Sequence, residues 1–448
     1  MLTYWQLHKF PILMVLGSMA FYYIFGYQLV REDFIRLITL VAALFFFLFK
    51  LMQLERWNFT FLLIAGIAFR AIFLFSTPNL SQDFYRFIWD GQLILNGVNP
   101  YLFTPNELLS QLDASFPNKE LLHQSMGSLS AKHYSNYPPL NQLLFTVAAF
   151  LGFGSIKGGI VSLRLLIIMA DVGVLWFGKK ILQQNNLSPH LIFWYFLNPL
   201  IIIELTGNLH FEGVMFFLFI TSIYLLQKQQ PIFAGLIYVM AILLKLVPLL
   251  FLPLFLPFLG LKKSAVFYAS IAVSCVLLFL PFYTEDFAAN YSKTIALWFS
   301  NFEFNASIYN AAEYVGTTYF DAKSWLFIKT YGKIIPLLTI GIALGLLIFK
   351  RMKSIGGLLT GMLILMTGYY FITSTVHPWY LVFPIGLCLF TTYRFPLLWS
   401  ATVFLSYYTY SQPDFKEYLP LLVVEYILVF GYMTYEILKN RNKTFHFR

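Results

Sequence analysis

Runs of roughly twenty apolar residues follow one another along the chain, separated by short turns that hold most of its charges. A bilayer's hydrocarbon core is about 30 Å thick, and an α-helix needs about 20 residues to cross it. Backbone N–H and C=O groups find no partner in lipid, so a chain patterned this way folds as a bundle of spanning helices. Composition agrees. Of 448 residues, 11% are charged and 59% apolar, whereas soluble domains carry about 25% charge. Mean hydropathy is +0.71. Soluble, disordered and fibrous classes are excluded. A membrane β-barrel is excluded as well, because its strands alternate apolar and polar residues instead of massing them.

The expected fold is therefore an all-α polytopic membrane protein, a helical bundle with roughly 12–14 transmembrane helices. Candidate spans cover about 11–30, 36–52, 58–75, 160–178, 191–205, 211–227, 231–247, 264–283, 331–349, 355–375, 379–394, 396–411 and 418–438. A proline-interrupted piece at 249–259 is expected to cross with its neighbours' help, and 140–153, too brief to cross alone, is read as re-entrant. The first stretch is too long for the apolar region of a signal peptide and reads as a first span. Cys275 and Cys388 lie inside apolar segments, so no disulfide is expected.

Lysine and arginine set orientation, because positive residues are retained in cytoplasmic loops. With the N-terminus inside, the inward segments hold Lys9, Lys50, Arg56, Lys179, Lys180, Lys228, Lys262, Lys263, Lys350, Arg351, Lys353, Arg394, Lys439, Arg441, Lys443 and Arg448 against one acid, Glu55. Were 140–153 to cross, every later basic cluster would face outward. The net charge of +10 is thus a topology signal, touching anionic lipid heads and not nucleic acid. Two long stretches, 76–139 and 284–330, remain outside, each with five acids and three bases. Amphipathic runs at 107–112 and 322–331 suit helices lying in the interface. The chain divides accordingly into N-terminal helices (1–75), a first outer loop (76–139), a transmembrane core (140–283), a second outer loop (284–330) and C-terminal helices (331–448).

The most informative stretch is Ser81-Gln82-Asp83-Phe84-Tyr85-Arg86-Phe87-Ile88-Trp89-Asp90-Gly91, directly after the third span. On a helix, Asp83, Arg86 and Asp90 recur at spacings of three and four and share a face. They form either an ion-paired helix start or a reacting group in which one carboxylate takes a proton from an acceptor hydroxyl while Arg86 holds geometry or a phosphate. Gly97-Val98-Asn99-Pro100-Tyr101 and Tyr134-Ser135-Asn136-Tyr137-Pro138-Pro139-Leu140 turn the chain. Their tyrosines either stack on sugar rings or anchor in the head-group layer.

Lys245 falls in an apolar run, where an unpaired charge costs about 2.5–3.5 kcal/mol. It requires a partner or a water-filled cavity, or else it snorkels to the surface. His210 and Glu212 lie in a short outer turn, as a wet loop or as part of a cavity wall. His377 opens the turn His377-Pro378-Trp379-Tyr380, whose aromatics equally suit an interfacial belt. Arg70, Arg164, Asp171, Glu204 and Glu425 are read as structural pairs, with Arg164 and Asp171, seven apart, suited to interhelix pairing. Gly341/Gly345 and Gly357/Gly361 have the spacing of packed helices. Neither histidine has a second ligand at zinc spacing, so histidine-based metal chemistry has no support, and a divalent metal is not indicated.

The order of these motifs resembles the GT-C glycosyltransferases. Asp83 to Gly91, Gly97 to Tyr101 and Tyr137 to Leu140 look like that superfamily's first outer loop. Leu197-Asn198-Pro199, Gly207-Asn208-Leu209-His210-Phe211-Glu212, Leu244-Lys245-Leu246-Val247-Pro248 and His377-Pro378-Trp379-Tyr380 extend the likeness from about 80 to 385. It is similar to bacterial glycosyltransferase family 87 and related mannosyltransferases, and more distantly to the catalytic subunit that adds the first mannose to GPI. The resemblance implies an inverting enzyme of the cell (inner) membrane with cytoplasmic termini, acting on the outer face. It implies a polyprenyl-phosphate sugar donor, most readily of mannose, and a glycan or glycolipid acceptor. By position Asp83 is the general base. Arg86, Lys245 and His377 are then candidates for the donor phosphate, and Asp90, Tyr101, Tyr137, His210 and Glu212 for orienting loop or substrate. Gln82 precedes a single Asp83 here, so an acid pair for a divalent metal is not indicated. No cofactor is implied, and a partner subunit is left open. The rivals are a transporter or flippase of lipid-linked sugars, which calls for two similar halves, and a polysaccharide ligase or polymerase, which favours arginines in its outer loops. No repeat is visible, and 284–330 holds no arginine.

Overall fold

The computed structural model describes residues 4–109, 115–300, 302–349 and 352–444. Lys350, Arg351 and Arg448 of the inward positives, and 110–112 of the first amphipathic run, lie outside the described residues. Among the described residues every regular element is helical, and extended backbone pairs only in a parallel bridge between Phe304 and Thr375. Seven helices are long and apolar enough to cross a bilayer: Tyr4–Tyr27, Phe34–Glu55, Ile156–Gln184, Val247–Phe282, Ser324–Ile348, Ile355–Ile372 and Leu419–Asn440. The chain is an all-α multi-pass membrane protein.

Several expected spans prove short or broken, and proline and glycine are the cause. The run 191–205 is two helices, Pro189–Phe196 and Ile201–Gly207, bent by 59°. Pro199 has no N–H and disfavours helical backbone at Asn198. The Asn198 carboxamide oxygen then accepts from Leu200 N at 2.9 Å and restarts the chain as a π-helix. The long Val247–Phe282 segment is interrupted at Gly260, whose φ of 72° lies in the left-handed region. Its two parts match the pieces expected at 249–259 and 264–283. The 322–331 run is no separate interfacial helix but the first turns of Ser324–Phe349. Among the described residues, a Cβ added at Gly341 or Gly345 would meet no neighbour within 4 Å, so no close packing is seen there, whereas one added at Gly361 would stand 2.9 Å from Met352 Sδ.

The chain folds into two compact units whose segments interleave: 1–80, 171–210 and 377–448 form one, 81–170 and 211–376 the other. In the first unit, Arg70 and Asp171 are fully buried and paired at 2.8 Å (Nε to Oδ2). Arg70 Nη1 also donates to Gly66 O at 3.0 Å and Phe196 O at 2.7 Å. Asp171 thus pairs across helices, as its position suggested, with Arg70 as partner. Glu425 accepts from Trp399 Nε1 at 2.8 Å.

In the second unit, helix Asp83–Leu95 packs on helix Pro139–Leu151. The latter, 13 residues long, reaches about 20 Å, short of a bilayer core. The two backbones meet at Gly91, where an added Cβ would stand 2.3 Å from Phe145 O. Gly91→Ala is therefore expected to push the helices apart at a cost of about 1–3 kcal/mol. Thermal unfolding in detergent checks this, and an unchanged midpoint would refute the close packing.

Candidate functional site

Asp83 opens helix Asp83–Leu95, half-buried, where the helix dipole favours a negative charge. One turn on, Arg86 Nε donates to Asp90 Oδ1 at 2.6 Å. The other Asp90 oxygen accepts from the Ser135 hydroxyl at 2.6 Å and Gln142 Nε2 at 3.1 Å. Arg86 Nη1 donates to Ser130 O at 2.7 Å and His133 O at 3.1 Å. Asp90 is fully buried and Arg86 nearly so. The pair thereby ties the end of the first loop, and the start of helix Pro139–Leu151, to the helix that carries Asp83. Arg86 Nη2 is buried without a partner among the described residues. Burial, with Arg86 and two lysines nearby, lowers the His133 pKa below its usual range.

Tyr101 is buried and donates its hydroxyl to Tyr137 O at 2.6 Å. Phe282, Phe287 and Tyr291 stand edge-on around its ring, and Asn290 Nδ2 donates to its carbonyl at 3.2 Å. Tyr101 thus pins the first loop both to itself and to the second. The Tyr137 ring sits edge-on to Phe87 and Phe145. Its hydroxyl lies within electrostatic reach of Asp83, Arg86, Asp90 and Glu212, and burial first, then Asp83, holds it protonated well above the usual tyrosine range.

Glu212 begins helix Glu212–Gln227, and Lys245 follows helix Pro231–Ile242. These two helices form a tight hairpin, so its open end brings the start of one beside the end of the other. Lys245 Nζ donates to Glu212 Oε1. Lys245 thus lies past the end of its helix at Ile242 and has the carboxylate partner that a charge in an apolar run requires. The first-loop motif reaches the same break, with Leu140 N donating to Leu243 O at 3.0 Å and Asn141 Nδ2 to Leu244 O. Asp83, Arg86, Asp90, Tyr101, Tyr137, Glu212 and Lys245 therefore belong to one connected group within the second unit.

The remaining two residues lie together in the first unit. His210 and His377 each stack on Trp379, with centroids 3.8 Å and 4.4 Å from it. His210 is no wet loop residue: it is 2% exposed, with Nε2 3.7 Å from Glu204 Oε2. Glu204 accepts from the Tyr407 hydroxyl at 2.7 Å and from Asn208 Nδ2 at 3.3 Å. Among the described residues no cluster of three or more His, Cys, Asp or Glu side chains is arranged to hold a metal ion. Ser135, Gln142 and the Glu212–Lys245 pairing escaped the reading of the sequence. Ser135 lay inside a motif already singled out, and Gln142 two residues past it.

Comparison with known proteins follows the same residues. The N-terminal-domain model of the alpha-(1->6)-mannopyranosyltransferase family matches residues 15–260, the region that carries Asp83, Arg86, Asp90, Tyr101, Tyr137, His210, Glu212 and Lys245 but not His377. Alpha-(1->6)-mannopyranosyltransferase B of Corynebacterium glutamicum is 26% identical over 149 residues, 33% of this chain and 24% of that protein. Alpha-(1->6)-mannopyranosyltransferase A of the same organism is 22% identical over 202 residues, 44% of this chain and 38% of that protein. The chain thus matches well under half the length of either relative. With the family's model covering residues 15–260, more than half of its length, the chain belongs to the alpha-(1->6)-mannopyranosyltransferase family.

Proposed function

We propose that the chain is a membrane mannosyltransferase that moves mannose from a polyprenyl-phosphate donor to a hydroxyl of a glycan or glycolipid. One observation carries the reading: a half-buried carboxylate, Asp83, opens a helix whose Arg86–Asp90 pair fixes it beside Tyr137 and the Glu212–Lys245 pair. The acceptor oxygen attacks the anomeric carbon, its proton passes to Asp83, and the bond from that carbon to the phosphate oxygen breaks. The leaving polyprenyl phosphate keeps the electron pair. Its growing charge calls for preorganised cations, and we assign Lys245 and the remaining Arg86 N–H to it. His377 is proposed as a separate phosphate contact, to be read from the donor KM of His377→Ala. Asp90 and Tyr101 hold the loop, and His210 orients its own unit. We assign Asp83 to the outer face, on the reading that the basic segments stay inside.

The relatives are named for an alpha-(1->6) linkage. On that pattern the acceptor is a primary hydroxyl, and a single displacement inverts the anomeric carbon. An alpha product then demands a beta-linked donor. The test is transfer from labelled polyprenyl-phosphate sugars, each as both anomers, by purified protein in lipid with membrane extract as acceptor. Label is expected only from beta-mannosyl donor, in an alpha-linked product. An alpha-linked product from the alpha anomer would exclude single displacement, and saturable binding without any transfer would favour a carrier of lipid-linked sugars.

A further inference from the structure

The two oxygens of Glu212 have unlike surroundings. Lys245 occupies Oε1. Oε2 is shut off from water and has no partner among the described residues, in a side chain only 3% exposed. Buried carboxylate oxygens are rarely left so, and an orphan of this kind marks a place that something else completes. The completing group must be a donor, and a phosphate is excluded by charge. Glu212 is ion-paired to Lys245 and within electrostatic range of Asp83 and Tyr137.

That placement has a geometric meaning once the transferase reading is adopted, on which this step rests. An in-line displacement lays the sugar ring between the leaving phosphate and the attacking oxygen. With Lys245 at the phosphate and Asp83 at the acceptor hydroxyl, the ring falls against the residue coupled to both. We infer that Glu212 Oε2 accepts a hydrogen bond from one ring hydroxyl of the transferred sugar and so selects which sugar is moved. Lys245 fixes the carboxylate by holding its other oxygen. Glu212 is then a specificity-determining residue, distinct in role from the base at Asp83. A site built to bond a substrate hydroxyl rejects an analogue that lacks it far more strongly than a mere change of shape would.

The experiment uses purified protein in lipid, with polyprenyl-phosphate mannose and its 2-, 3-, 4- and 6-deoxy analogues as donors. In the wild type, one analogue is expected to lose about 10⁴–10⁵-fold in kcat/KM. In Glu212→Gln the parent donor should fall comparably, while the penalty for that one analogue shrinks to near unity and the others keep theirs. A purely structural Glu212 would depress every donor by one factor and leave all ratios unchanged, which would overturn the inference. Glu212→Asp retains the charge and the Lys245 partner while withdrawing the oxygen by one methylene, and should weaken discrimination at the same hydroxyl. Should neither variant fold, the wild-type series decides: no analogue singled out means no such contact. Wild type inert toward the parent donor would overturn the transferase reading itself, a different result from active protein with unchanged ratios.

Discussion

Asp83→Asn is expected to lower kcat for sugar transfer about 10²–10⁴-fold, the range general-base catalysis supplies, with the donor KM within about threefold of wild type. The substitution is nearly isosteric, and the N-cap of the helix is Gln82, which it leaves in place. It removes a charge at the first turn of Asp83–Leu95, a loss of only about 0.3–1 kcal/mol to stability. The Arg86–Asp90 pair and its bonds to Ser135 and Gln142 do not involve Asp83 and should persist. The variant should therefore bind donor and unfold near the wild-type temperature while turning over hardly at all. Steady-state transfer beside thermal unfolding gives both readouts. Near-normal kcat would place the base elsewhere.

Asp171→Ala is expected to have the largest effect on stability. It strands the Arg70 guanidinium, fully buried, with the Gly66 and Phe196 carbonyls as the polar partners that remain among the described residues. Breaking a buried pair by removing one member costs about 3–5 kcal/mol, because the other charge stays behind. Replacing both, as Arg70→Met with Asp171→Leu, removes the stranded charge and should recover most of the loss. The comparison by unfolding in detergent separates a pair needed for its charge from one that merely fills space. Equal losses in the single and double variants would show the effect to be packing.

Legibility in the sequence differed by kind. Apolar periodicity announced helices over most of the chain because lipid allows no other way to satisfy its backbone. It could not announce the break at Asn198-Pro199, where a side-chain oxygen accepts the Leu200 N–H in place of a backbone carbonyl. Nor could it show that Lys245 follows a helix that ends at Ile242. For the site, the spacing of Asp83, Arg86 and Asp90 did place them on one helical face. Which charge answers which was hidden: Glu212 and Lys245 stand 33 residues apart, and Arg70 and Asp171 101 apart. Such pairs are set by the folding of helices onto one another. The stacking of His210 and His377 on Trp379 was hidden for the same reason.

The interleaving of the two units bears on how such a chain is made. Asn198 donates to Ser400 Oγ, 202 positions later, and Glu204 accepts from Tyr407, 203 later. Both early residues are fully inside the finished protein or nearly so. At about 5–20 residues per second of synthesis, each leaves the ribosome well before its partner exists. The polar groups of 198–204 must wait for the last quarter of the chain, held meanwhile by water, lipid head groups or the insertion machinery. The first unit therefore cannot close its own polar interior until the segment that carries Ser400 and Tyr407 has been made.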